Sequence, residues 1–155
     1  MTKVVLDTSC ISTFIRIDGV NLLVKILESN EIFITEQIAQ ELKLSKIEVL
    51  RNFNHQKIKI KSADSSIAEK YNIHIGEASV IMFAKKNNAL AIIDDKKARQ
   101  AAIKEGIDFI GTATLIKLGI ERKIIKKEEI EKILEEITTK GKLYLSEEII
   151  AWLME

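Results

Sequence analysis

The sequence predicts an α/β fold in which a mostly parallel central sheet is flanked by helices. Three observations support this prediction. Short, abrupt apolar runs alternate with longer segments of helical periodicity along the 155 residues. The run Ala89–Ile93 is apolar throughout, as expected for a strand covered on both faces of a sheet. Hydrophobic residues make up 46% of the chain, which is enough for a packed core and too much for a disordered protein.

The individual elements follow from the apolar runs and from the residues that interrupt them. Strands are expected at 4–6, 32–34, 58–60, 89–93 and 108–110. Helices are expected at 10–17, 21–27, 36–44, 45–53, 65–71, 76–86, 96–105 and 112–118. Asp18 and Gly19 separate the first two helices, and Thr35 can cap the third. Strands that alternate with helices in this way form parallel sheets with right-handed crossovers.

The pattern changes after Gly119. Residues 121–155 contain nine Glu and seven Lys or Arg, and they predict two further helices near 127–137 and 146–153. We therefore expect a main domain over residues 1–120 and a helical extension over residues 121–155. The last helix has an apolar stripe that includes Trp152 and Leu153, which favours packing on the domain or on a partner subunit.

Composition excludes several classes of protein. Lys and Arg number 24 and Asp and Glu 23, so the net charge of +1 argues against a protein that coats nucleic acid by bulk charge. A single cysteine, Cys10, excludes a disulfide framework, and the two histidines match no zinc spacing. No apolar run is long enough for a membrane helix, and the N-terminus does not resemble a signal peptide. These features predict a soluble, cytoplasmic protein.

The aspartates mark the predicted functional site. Only six of the 23 acidic residues are Asp, and three of these six directly follow predicted strands: Asp7, Asp94 and Asp95. Ligands of open α/β sheets bind outside the carboxyl ends of the strands, which is where these three residues are expected. Two glutamates belong with them. Glu77 begins a helix, and Glu41 borders the apolar face of the helix after the second strand.

Several carboxylates at one place require a counter-charge, because they cannot all remain ionised without one. A divalent cation that prefers oxygen ligands, Mg²⁺ or Mn²⁺, would supply it and would promote hydrolysis of a phosphodiester. Thr8 and Ser9 are placed to orient Asp7 or to bind phosphate at a helix N-terminus. Further candidates for substrate binding are the basic residues that follow the Asp pair, which are Lys96, Lys97 and Arg99. Thr112, after the last strand, is another candidate.

Each acid also has a purely structural interpretation. Asp7 and the Asp94–Asp95 pair could serve as helix caps or turn residues. Glu77 could complement a helix dipole. A phosphoryl-transfer domain is less consistent with the sequence, because no second Asp follows two residues after Asp7 and no Gly-rich phosphate loop is present.

The ordered motifs resemble those of PIN-domain nucleases, in particular the prokaryotic branch of VapC-like toxins, over residues 3–120. The motifs are VVLDTS at 4–9, IT at 34–35 followed by EL at 41–42, GEA at 76–78, IIDDKKAR at 92–99 and IGT at 110–112. Stretches at 118–120 and 143–148 also resemble one uncharacterised PIN subgroup. The resemblance implies a three-layer sandwich and metal-dependent hydrolysis of RNA.

Carried over by position, the resemblance implies that Asp7, Glu41, Glu77 and Asp95 are catalytic and bind the metal, with Asp94 assisting. Two departures from the family pattern matter. Many members have Thr or Ser at the position of Asp94, which leaves open whether Asp94 or Asp95 binds the metal. Many also have a further Asp after the last strand, where this chain has Gly111 and Thr112, so that ligand is expected to be absent. The resemblance also implies a toxin that acts with a protein antitoxin, and a homodimer. A non-catalytic RNA-binding or protein-interaction module remains the alternative.

Overall fold

The computed structural model describes residues 2–155 and confirms the α/β architecture. The strands are β1 (Lys3–Leu6), β2 (Glu31–Thr35), β3 (Ile58–Lys61), β4 (Leu90–Ile92) and β5 (Phe109–Ile110). They form one sheet in the order β3-β2-β1-β4-β5, and every neighbouring pair is parallel. The chain runs outward from β1 to β3 and then crosses to β4 and β5 on the other side. The direction of winding therefore reverses between β1 and β4, the position where α/β sheets form ligand sites.

Ten α-helices surround this sheet within residues 2–155. They are α1 (Thr8–Arg16), α2 (Val20–Ile26), α3 (Glu36–Lys43), α4 (Glu48–Arg51), α5 (Ala68–Tyr71), α6 (Ile75–Asn87), α7 (Lys96–Glu105), α8 (Thr112–Glu121), α9 (Ile130–Thr139) and α10 (Glu147–Met154). A 3₁₀ turn at Lys127–Glu129 precedes α9. None of these helices is both long and apolar enough to cross a lipid bilayer.

One helix is much shorter than predicted. The segment 45–53 was expected to be helical throughout, but only α4 is. The hydroxyl of Ser45 accepts a hydrogen bond from the backbone N–H of Ile47, and Arg51 donates to the carbonyl of Ser45. Such local bonds between side chain and backbone compete with the helical ladder, so the chain forms a bend before α4 begins.

Four helices begin at residues whose side chains cap them. Asp7 accepts from the N–H of Thr8 at α1, Thr35 caps α3, Asp95 accepts from the N–H of Ala98 at α7, and Ser146 caps α10. The structural interpretation of Asp7 and Asp95 as caps is therefore correct as far as it goes. Because α1 and α7 start directly after the neighbouring strands β1 and β4, the same capping geometry holds both carboxylates at one edge of the sheet.

The extension shares the hydrophobic core of the main domain. Leu143, Leu145 and Leu153 belong to the same buried cluster as the sheet. The hydroxyl of Thr13 on α1 donates to the carbonyl of Gly141 over 3.0 Å at a buried position. The ammonium of Lys117 on α8 donates to a carbonyl near the end of α10 over 2.6 Å. These contacts fasten residues 121–155 to the rest of the chain.

Candidate active site

A cavity of about 1280 Å³ opens at the carboxyl edge of the sheet and collects all five predicted acids. They are Asp7, Glu41, Glu77, Asp94 and Asp95. Asp7 follows β1 and the Asp pair follows β4, whereas the glutamates reach the cavity from α3 and from the first turn of α6. Four segments that are distant in sequence therefore present carboxylates to one space at the switch point of the sheet.

Asp7 is the most buried of these acids, with 3% of its surface exposed. Burial and, to a smaller extent, the nearby charges of Glu77, Asp94 and Glu41 together raise the pKa of its carboxyl from 3.8 to about 7. The N–H of Thr8, 2.7 Å from Oδ1, opposes this by stabilising the ionised form. The floor of the cavity thus holds a carboxylate with little local compensation for its charge.

Glu41 is held beside α6 by a short hydroxyl contact and a glycine. Thr8 donates its hydroxyl to Oε2 of Glu41 over 2.7 Å. A Cβ atom at position 76 would overlap Oε1 of Glu41 and would lie 2.9 Å from Cδ1 of Ile38. A side chain at position 76 would therefore displace the Glu41 carboxylate from its position against the start of α6. The Gly-Glu pair of the motif therefore has two separate functions, one steric and one electrostatic.

Glu77 and Asp95 are neighbours in the cavity. Glu77 accepts the N–H of His74 at Oε1 over 3.0 Å, and Asp95 accepts the N–H of Ala98 at Oδ2 over 2.9 Å. Burial raises the pKa of the Glu77 carboxyl, as does the adjacent Asp95, while the N–H of His74 lowers it. The two side chains act as helix caps through one oxygen each, and their negative charges repel one another.

Asp94 differs from Asp95 in that both of its carboxylate oxygens accept protein hydrogen bonds. Oδ1 accepts the N–H of Thr112 at 2.8 Å, and Oδ2 accepts the hydroxyls of Thr112 at 2.6 Å and of Ser9 at 3.0 Å. The guanidinium of Arg99 lies 3.9 Å from Oδ1. This set of donors ties the ends of β4 and β5 to the start of α1.

The predicted substrate-binding residues occupy different positions. Thr8 and Ser9 line the cavity, whereas Lys96, Lys97, Arg99 and Thr112 are not among its lining residues. Thr112 is fully buried behind Asp94, and Arg99 donates to the carbonyl of Ile93. Their contacts indicate that Thr112 and Arg99 position Asp94, which differs from the predicted contact with substrate.

Sequence reasoning missed part of the cavity wall. His74 and Ile75 at the start of α6, Leu44 at the end of α3, and Lys142 and Tyr144 from the extension all line the cavity. The Gly-Glu motif at 76–77 could have indicated His74, whose backbone N–H donates to Glu77 at the start of the same helix. No local pattern indicated Lys142 or Tyr144, because they reach the cavity only through the docking of the extension.

The donor set fits an oxygen-preferring divalent cation. Six carboxylates line the cavity, the five predicted acids and Glu36. Among the described residues, the lining contains a single Lys or Arg, Lys142. Within residues 2–155, no three His, Cys, Asp or Glu side chains stand close enough together to form a ready-made metal cluster. Mutually repelling carboxylates are expected to stay apart without a cation between them. Mg²⁺ and Mn²⁺ need only one or two direct carboxylate ligands, because they retain bound waters.

A comparison with protein-family models matches residues 3–155 to a family described as PIN domain. The chain belongs to the PIN-domain family. The match covers the helical extension as well as the main domain, so it is longer than the resemblance over residues 3–120. PIN domains are nuclease-type folds. The five acids of this PIN domain line a cavity at the point between β1 and β4 where the winding of the chain reverses. The VapC-like branch stays a prediction. No curated protein matches the chain.

Proposed function

We propose that this PIN domain is a metal-dependent endoribonuclease that hydrolyses phosphodiester bonds in RNA. The observation that supports the proposal most strongly is the convergence of Asp7, Glu41, Glu77 and Asp95 on one cavity around a buried, poorly compensated carboxylate. A bound Mg²⁺ or Mn²⁺ would supply the missing positive charge and the Lewis acidity that phosphodiester hydrolysis requires.

The four acids would hold the cation, and their neighbours would keep them in position. Thr8 orients Glu41 through its hydroxyl and Asp7 through its N–H. Glu77 and Asp95 are fixed by helix-capping bonds that leave the rest of each carboxylate facing the cavity. Asp94 would assist indirectly, because its oxygens already bind Ser9 and Thr112.

Cleavage of single-stranded RNA with and without Mn²⁺ tests the proposal. The native chain should cleave only with the metal, and Asp7→Asn should lose at least about a hundredfold in rate, because it removes the central carboxylate. Asp108→Asn is the matched control, since Asp108 is exposed and does not line the cavity. Cleavage that persists in Asp7→Asn, or that needs no metal, would contradict the assignment.

The alternative, a non-catalytic RNA-binding or protein-interaction module, makes a different prediction in the same experiment. The native chain would then leave RNA intact in the presence of Mn²⁺, whether or not it binds the RNA. Calorimetric titration with Mn²⁺ separates the two cases further. An intact metal site should bind the ion in the native chain and in Asp108→Asn, and should lose it in Asp7→Asn.

We further propose that the chain acts as the toxin of a toxin–antitoxin pair and forms a homodimer. The support is the resemblance to VapC-like toxins together with the exposed apolar side chains of α10, Trp152 and Met154. Induced expression should arrest growth of a bacterial host, whereas Asp7→Asn should not. Light scattering should give a dimer mass for the native chain and a reduced dimer fraction for Trp152→Ala.

A further inference from the structure

A short strap from the helical extension forms one wall of the acidic cavity. The strap is the segment Gly141–Ser146, which joins α9 to α10, and its Lys142, Leu143 and Tyr144 line the cavity. The strap packs against α1, the helix that follows Asp7. Residues from the beginning and from the end of the chain therefore line the same cavity.

Hydrogen bonds fix the strap to the helices packed against it. Its Gly141 carbonyl accepts the hydroxyl of Thr13, and the N–H of Leu143 donates to the carbonyl of Ile137 over 3.2 Å. A Cβ atom at position 141 would lie 2.9 Å from Cγ2 of Thr13, so the close approach requires glycine. Leu143 and Leu145 are buried, and the side chain between them, Tyr144, therefore points outward.

Three large apolar side chains are exposed around the cavity, whose floor is acidic. Tyr144 is 85% exposed, Leu44 at the end of α3 is 73% exposed, and Ile75 at the start of α6 is 60% exposed. All three line the cavity, and each comes from a different element. Large exposed apolar side chains that cluster around a concave site are typical of a ligand-binding surface.

Among residues 2–155, the one Lys or Arg in the cavity wall belongs to the same strap. Lys142 is the single Lys or Arg among the described residues that line the cavity. One residue, Leu143, separates it from Tyr144 in the sequence. A cation beside an aromatic ring is the combination with which proteins bind single-stranded nucleic acid, one group contacting the phosphate and the other stacking on a base. A wholly apolar rim would not offer this pairing.

We propose that the strap is a subsite for an unpaired nucleotide, in which Tyr144 stacks on the base and Lys142 contacts its phosphate. The base would enter between Tyr144, Leu44 and Ile75, next to the carboxylate floor. Bases inside a duplex have both faces covered by their neighbours, so only an unpaired base can stack on Tyr144. The inference rests on the proposed ribonuclease function and adds to it the residues that hold one nucleotide beside the acids.

Binding of a short single-stranded RNA that contains the fluorescent base 2-aminopurine tests the stacking. The measurement uses the full chain in an Asp7→Asn background, where the RNA stays intact. Adding Tyr144→Ala should weaken binding by roughly 5- to 150-fold and abolish the quenching that stacking causes. Tyr144→Trp should restore both signals. Ile103→Ala is the matched control, because Ile103 is 66% exposed and does not line the cavity.

Salt dependence tests the lysine. In the same background, Lys142→Gln should reduce the slope of log Kd against log salt concentration by about 0.7, as expected for one lost phosphate contact with a single strand. The neighbouring Lys140→Gln should leave the slope unchanged, since Lys140 is exposed but does not line the cavity. Equal slopes for both variants would overturn the assignment of Lys142.

The two proposals fail in distinguishable ways. If the native chain cleaves RNA with Mn²⁺ but Tyr144→Ala binds and cleaves as the native chain does, the subsite is wrong and the nuclease stands. If the native chain leaves RNA intact but quenching depends on Tyr144, the nuclease is wrong and the subsite stands. Equal affinity for single-stranded and double-stranded RNA would overturn the subsite, because a base inside a duplex cannot stack on Tyr144.

Discussion

Two acidic side chains in this PIN domain, Glu105 and Asp7, have opposite electrostatic surroundings. Glu105, at the end of α7, accepts hydrogen bonds from the hydroxyl of Tyr71 and from the ammonium of Lys85, with Lys70 a further 3.9 Å contact. These donors lower the pKa of the Glu105 carboxyl. Asp7 in the cavity is buried among other acids, which raises the pKa of its carboxyl to about 7.

The difference separates an acid that stabilises the fold from an acid that the fold tolerates. The ionised form of Glu105 is favoured by folding, so it contributes to stability. The ionised form of Asp7 is disfavoured by folding, so it costs stability unless a cation is bound. Unfavourable electrostatics that persist in a cavity are typical of functional sites.

The largest expected effect comes from removing the charge of Asp7. Asp7→Asn should raise the free energy of unfolding of the metal-free chain by about 2–4 kcal/mol at neutral pH, because it removes the desolvation cost of a buried carboxylate. Chemical denaturation in the presence of a chelator measures this change. The same substitution should abolish RNA cleavage, so stability and activity should move in opposite directions.

The matched control for that experiment is Asp108→Asn, which alters an exposed aspartate and should change stability by less than about 0.5 kcal/mol. Mn²⁺ at a hundredfold excess over its Kd should stabilise the native chain by about 2.7 kcal/mol and should not stabilise Asp7→Asn. A destabilised Asp7→Asn chain would show that the carboxylate of Asp7 is structural, and the comparison with Glu105 would fail.

An intermediate effect is expected from the two adjacent aspartates, which the sequence could not tell apart. Asp94→Asn should destabilise the chain by about 1–3 kcal/mol, because it leaves the donors of Ser9 and Thr112 without good acceptors. Asp95→Asn should leave stability nearly unchanged, since Asn also caps helices, but should lower Mn²⁺ affinity at least about tenfold.

Thermal unfolding and calorimetric titration of both variants test this contrast. If Asp94→Asn lost Mn²⁺ affinity and kept its stability, the assignments of the two residues would be exchanged. Equal loss of affinity in both variants would mean that the hydrogen bonds to Asp94 do not withdraw it from the metal site.

The sheet and the acids could be predicted from local features of the sequence. A strand that ends in Asp places its carboxylate at the carboxyl edge, and parallel pairing then brings Asp7 and Asp95 together. The positions of the strands and most helices were predicted to within a few residues for the same reason. The length of α4 was not, because it depends on the competing bond of Ser45 to the backbone.

The remainder of the cavity depends on contacts between distant segments. The pairing of Asp94 with Thr112 spans 18 residues, and that of Thr13 with Gly141 spans 128. No periodicity or spacing within either segment reveals such a partner. For this reason the sequence could not distinguish Asp94 from Asp95, and it gave no indication that Lys142 and Tyr144 reach the acids.

The smallest expected effect concerns the satisfied acid. Glu105→Gln should lower the free energy of unfolding by about 1 kcal/mol at neutral pH, because it weakens charge-assisted bonds to Tyr71 and Lys85, whose ammonium is half exposed to solvent. The pKa of the Glu105 carboxyl is lowered from 4.5 by folding. The stability advantage of the native chain over Glu105→Gln is therefore complete above this value and is lost as the pH falls below it.

Denaturation of both chains across this range measures the loss, with Glu131→Gln as an exposed control. A difference that persisted under acidic conditions would mean that Glu105 stabilises the chain by packing, and its charge would then not be the opposite of Asp7.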